Sequence, residues 1–198
     1  MKQFLILKDR LSYTFLRKGL IALQFLTIFP VKISAEGGSA PDGKSDIKEK
    51  DFGASLLYFP LVGLLIGLIL ALSAFLLFPL PGIIKGATIL IISIIITGGI
   101  HLDGFADTCD GFYGNKPKEK ILEIMKDSHI GAMGVIGIVS LLLLKFSLIA
   151  SFNERLLWKA LILMVVFSRW VQVMACFSAS YARQEGKAKY FLEYATKK

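Results

Sequence analysis

The chain has 198 residues, 55% of them apolar, and a mean hydropathy of +0.64; this is too apolar for an ordinary soluble domain and indicates an all-α, polytopic integral membrane helix bundle. The net charge of +8 does not point to nucleic acid, because the lysines and arginines are scattered between apolar runs and form no stripe with interleaved aromatics. The two cysteines, Cys109 and Cys176, offer neither a disulfide framework nor metal-ligand spacing.

In chain order, the N-terminal MKQFLILKDRLSYTFLRK holds an apolar stretch too short, and too interrupted by Lys8, Asp9 and Arg10, for a signal peptide. It is expected to lie as a basic segment on the membrane surface. GLIALQFLTIFPV, residues 19–31, is short and proline-ended, which predicts a half-helix or re-entrant segment. The Gly-, Pro- and Ser-rich stretch 32–51 is expected to be a flexible polar loop. A spanning helix needs about 20 mostly apolar residues, and such runs predict spans over 54–78, 83–100, 130–152 and 156–181. No internal repeat divides the chain, so residues 1–198 are expected to form a single transmembrane catalytic domain.

The basic residues predict orientation. Nine lie in the part through residue 50, four in 101–129 and five after 182, against three (Lys85, Arg155, Lys159) on the two connections of the other side. That bias places the 101–129 loop and both chain ends in the cytoplasm, in a cell or inner membrane.

Between the second and third predicted spans stands GGIHLDGFADTCDGFYG, residues 98–114. On a helix, at about 100° per residue, Asp103, Asp107 and Asp110 fall within roughly 60° of one another. Gly114 lies on the same line and Gly111 beside it, while Leu102, Phe105, Cys109 and Phe112 form the opposite, apolar side. Carboxylates this close repel one another, and the cost rises near a bilayer. A divalent cation removes the conflict, and oxygen-only ligands favour Mg²⁺ or Mn²⁺ over zinc. Such an ion shares its shell with substrate phosphates, and Gly104, Gly111 and Gly114 would let a diphosphate approach. A merely solvated acidic loop and a cation-conducting site are the alternatives that the pattern leaves open.

Downstream, a helix would put Glu123 and Asp127 on one face, as a second metal position or a general base, with Lys126 beside them to neutralise phosphate. Ser128 begins a small-residue lead into the third span and is a further substrate contact. Arg169 sits mid-span in VVFSRWVQV and requires an anion or other partner.

The run GGIHLDGFADTCDGFYG, with ILEIMKDSHIGAMGVIG after it, resembles the signature of the cobalamin synthase family. QFLTIFPV, YFPLVGLLIGLILAL, SRW and YARQEGK resemble other parts of that family, so the resemblance covers nearly the whole chain. It implies a Mg²⁺-dependent membrane transferase that joins adenosylcobinamide-GDP to α-ribazole or its 5′-phosphate, releasing GMP and forming adenosylcobalamin or its phosphate. It implies that Asp103, Asp107 and Asp110 hold Mg²⁺ against the diphosphate, that Glu123 or Asp127 takes a proton, and that Lys126, Arg169 or Arg183 meets phosphate. It also allows for a homo-oligomer or a complex with other cobalamin-assembly enzymes. His129 stands where arginine is usual in the family, and the chain is expected to lack the family's C-terminal helices. CDP-alcohol phosphotransferases also use spaced aspartates and Mg²⁺, but their pattern has Ala-Arg after the first Asp-Gly and a longer gap to the last two acids. A cation-coupled transporter is the alternative outside enzymes.

Overall fold

The computed structural model describes residues 15–31, 49–182, 186 and 188–196. The expected surface segment up to residue 14 and the polar loop over 32–48 lie outside the described residues, as does Arg183. Every described element is helical, as the sequence predicts. In order they are α1 (15–26), α2 (Glu49–Ala54), a 3₁₀ turn (Ser55–Tyr58), α3 (Phe59–Leu76), α4 (Gly82–Thr97) and α5 (Ile100–Phe112). Then come α6 (Lys118–Ile124), α7 (Ala132–Ser151), α8 (Glu154–Ser178) and α9 (Ala188–Thr196).

Among the described residues three helices are long and apolar enough to cross a membrane: Lys50–Leu76, which joins α2, the 3₁₀ turn and α3; α7; and α8. The bent pair α4–α5 makes a fourth if it is counted as one span. The span expected over 83–100 ends earlier, at Thr97, for a local reason. Gly98 and Gly99 both take left-handed φ values, 62° and 69°, which side chains resist. Their amides close the helix on the carbonyls of Ile95 and Ile94, at 3.0 and 3.2 Å, the paired bonds of a Schellman end. The axis then turns by 91° into α5.

The chain folds as two compact units, residues 1–67 with 162–198, and residues 68–161. In the first, Phe25, Phe52, Phe59 and Phe191 form a ring cluster with centroids 4.7–5.9 Å apart, each pair adding about 0.5–1.5 kcal/mol to its area burial. The buried Arg17 guanidinium lies 3.6 Å from Asp51. The α3 backbone passes close to α8: a Cβ on Gly67 would stand 2.8 Å from the Ile162 Cα.

In the second unit α7 packs against α4 and α5, again through small residues, the way apolar helices approach closely where no water drives them together. A Cβ on Gly82 would stand 2.6 Å from the Ala150 carbonyl oxygen, and one on Gly86 3.0 Å from the Ala150 Cα. The start of α4 therefore lies beside the end of α7. There the buried Lys85 ammonium donates to a Glu154 carboxylate oxygen at 2.5 Å and sits 5.5 Å from the Phe78 ring centre. These two residues also help to line an apolar cleft of about 740 Å³ with Ala71, Phe75 and Trp158, in which none of the sequence-derived site residues takes part.

Candidate active site

The acidic stretch is helical where the three aspartates lie, as the spacing predicts, but the helix ends at Phe112, so Gly114 does not share the acidic line. Residues 100–112 are helical, and Asp103 in the first turn is exposed and favourable near the positive N-terminal end. Asp107 and Asp110 are half-buried on the same side. Of the predicted apolar side, Phe105 and Cys109 pack where a Cβ on Gly137 would fall, on α7. Phe112 is largely exposed, at 67%.

Asp110 is the best-anchored member. One carboxylate oxygen accepts the Gly131 backbone N–H at 2.8 Å and the other accepts the Gly134 N–H, also at 2.8 Å. These are orphan donors of the first turn of α7, so a side chain from α5 caps a different helix. Gly131 and Gly134 have no Cβ for the same reason: one at either position would collide with that carboxylate. At the end of α5, the Lys116 ammonium donates to the Tyr113 carbonyl at 2.5 Å and the Asp110 carbonyl at 3.3 Å, covering acceptors that the helix leaves unpaired.

The glycines divide. Gly104 is exposed with open space around it, so an approaching ligand would meet no side chain there. Gly111 is buried, and its missing Cβ makes room for Ile121 and Met125 at 3.1 and 3.2 Å, so it seats α6 against α5. Gly114, at φ 90°, turns the chain out of the helix. The acidic strip of Asp103 and Asp107 thus runs between the line where Asp110 meets α7 and the line where Gly111 meets α6.

Helical spacing predicts Glu123 and Asp127 on one face of a helix; the structure corrects this, because α6 stops at Ile124. The cause is local. The Asp127 carboxylate accepts the His129 backbone N–H at 3.0 Å, an Asx-type turn that competes with helix continuation. The same oxygen lies 2.6 Å from His129 Nδ1. The side-chain bond to His129, with the backbone bond second, holds the Asp127 carboxyl below the usual aspartate range. Glu123 is exposed and pairs with Lys120 at 3.0 Å; Lys126 and Ser128 are exposed. Arg169 is buried in α8, where its Nη1 donates to Gln172 at 3.2 Å and its side chain fills the space left by Gly63. The bond from Asp110 to Gly131 and Gly134 has no local sequence signature, but the three-residue rhythm of Gly131, Gly134 and Gly137 marks a face that a neighbouring helix approaches closely.

Among the described residues, no three His, Cys, Asp or Glu side chains stand close enough together to hold a metal ion by themselves. The donor set still fits Mg²⁺, which is usually held by one or two carboxylates and completed by water and substrate phosphates rather than enclosed by protein. Asp103 and Asp107 beside the open Gly104 form such a set.

Comparison with known proteins identifies the family. A family model described as cobalamin-5-phosphate synthase matches residues 18–198. An adenosylcobinamide-GDP ribazoletransferase of Clostridium acetobutylicum is 38% identical over 186 residues, 93% of this chain and 70% of the relative. One of Geotalea daltonii is 38% identical over 179 residues, 89% of this chain and 68% of the relative. One of Alkaliphilus oremlandii is 43% identical over 153 residues, 75% of this chain and 59% of the relative. No solved structure matches.

Proposed function

The chain belongs to the cobalamin-5-phosphate synthase family, and on that premise we propose that it is an adenosylcobinamide-GDP ribazoletransferase, acting in assembly of the cobalamin nucleotide loop. The relatives that carry that name match it along most of its length. One observation in its own geometry supports the reading: an acidic strip at a helix bend, flanked by an open glycine, on a helix that packs against the apolar α7.

Asp103 and Asp107, with the remaining lone pairs of Asp110, would hold Mg²⁺ against the substrate diphosphate. When bound, the ion would offset the charge that develops on the GMP leaving group. The hydroxyl oxygen of α-ribazole or its 5′-phosphate forms the new bond to phosphorus, and the bond from that phosphorus to GMP breaks. Glu123 or Asp127 takes the hydroxyl proton. Asp127 is the one of the two that lies on the turn that Asp110 fastens to α5. Lys126, Ser128, Arg169 and Arg183 are proposed to meet phosphate oxygens, and Gly104 to keep the diphosphate's approach clear, whereas Gly111 is taken up by the packing of α6 and Gly114 by the turn. The basic-residue bias puts this reaction on the cytoplasmic side. The test is release of GMP from adenosylcobinamide-GDP by the purified chain, with CDP-alcohol as the control donor. GMP without CMP supports the reading, and CMP alone contradicts it.

A further inference from the structure

We propose that Asp110 is a positioning residue, whose carboxylate fastens the turn 127–131 to α5 and so sets where Asp127, Ser128 and His129 stand. This rests on the functional reading above for its consequence, but not for its geometry. Three observations carry it. Both oxygens of Asp110 accept amides of the first turn of α7, at 2.8 Å each. Both amides belong to glycines, and a Cβ at either position would strike that same carboxylate. Neither glycine is required by backbone conformation at this end: Gly131 has φ −87° and ψ 172°, which any residue adopts. The glycines are therefore accounted for by room for Asp110, and not by a turn.

A carboxylate suits the task in a way that its amide does not. Two N–H donors converge on two acceptor oxygens, and an asparagine would present one acceptor and one NH₂ group, which repels the second amide. The negative charge also faces the positive end of α7. From the other direction Lys116 covers the carbonyl end of α5, so the α5–α7 junction has charge of the right sign at each helix end. Since Gly131 lies four residues beyond Asp127, loosening this bond frees the turn that carries the proposed proton acceptor.

The experiment is hydrogen–deuterium exchange across residues 127–151 of the full chain in lipid nanodiscs, without metal or substrate, for wild type, Asp110→Asn and Gly131→Ala. Exchange at the start of α7 is expected to quicken at least about tenfold in both variants, with the second half of α7 unchanged. An additional Gly131→Ala change is expected to add little once Asp110 is Ala, because the collision is gone; the two changes are coupled. In turnover, Gly131→Ala, whose new Cβ presses on the Asp110 carboxylate, is expected to lower kcat. Unchanged exchange in Asp110→Asn overturns the proposal, whatever its activity. So does full additivity of the two changes. Because exchange needs neither substrate nor Mg²⁺, a failure of the transferase reading would show in GMP release and leave this result standing.

Discussion

Among single residues, Gly104 and Asp127 separate structure from chemistry most cleanly. Gly104 lies inside α5 with open space about it, so Gly104→Ala is expected to stabilise the helix by about 0.5–1 kcal/mol. If the diphosphate approaches over that position, the same change lowers GMP release; thermal unfolding and turnover measured on one preparation check both directions. Asp127 is held below the ordinary aspartate range by His129. A carboxyl depressed on folding contributes stability that is present above its unfolded pKa, near 4, and is lost as pH falls through the lower folded value. The turn is therefore expected to be intact at neutral pH and to open only in acid. His129→Ala should bring the Asp127 carboxyl back toward the ordinary range, as read from its carbon chemical shift during titration. The buried Lys85 tells a third story, of stability alone. Glu154→Gln removes its charged partner and is expected to cost about 1–3 kcal/mol, while a joint Lys85→Met and Glu154→Leu change should recover much of the loss. Urea or thermal unfolding in detergent measures both.

On the scale of elements, what was legible in the sequence depended on how far apart the cooperating residues lie. The acidic face of α5 could be read from 103, 107 and 110 because one helix carries all three. Three of the four spans were legible to within a few residues, since length and apolar composition are local properties; the fourth stands only if the bent pair α4–α5 is one span. The end of α4 moved because two successive left-handed glycines decide it, and a hydropathy count treats them as ordinary small residues. The end of α6 moved because the Asp127 side chain competes for a backbone amide, which helical spacing ignores. The two hydrogen bonds that Gly131 and Gly134 donate to Asp110 join residues 21 and 24 apart, and the Lys85–Glu154 pair spans 69; nothing in a local window reports either. Close helix approach leads to one more expectation. In Gly67→Val the new side chain would meet the Ile162 backbone, so the variant is expected to lose at least about 2 kcal/mol, whereas Gly104→Val, in open space, should cost nothing, valine being no worse a helix former than glycine.

For the whole molecule, the apolar helices and the acidic strip make a single chemical proposition: a membrane enzyme that handles a diphosphate beside the bilayer. The proposal that the strip faces the cytoplasm predicts that a cysteine introduced at Asn115, with Cys109 and Cys176 replaced, reacts with an impermeant maleimide in inverted vesicles and not in intact cells. The central claim is the metal-assisted transfer itself, and it is tested most directly by GMP release from adenosylcobinamide-GDP with α-ribazole as acceptor, with and without Mg²⁺, for wild type and Asp107→Asn. Mg²⁺-dependent release is expected from the wild type, and a loss of about 100-fold or more from a still-folded Asp107→Asn at saturating Mg²⁺. Full activity in Asp107→Asn would contradict that claim.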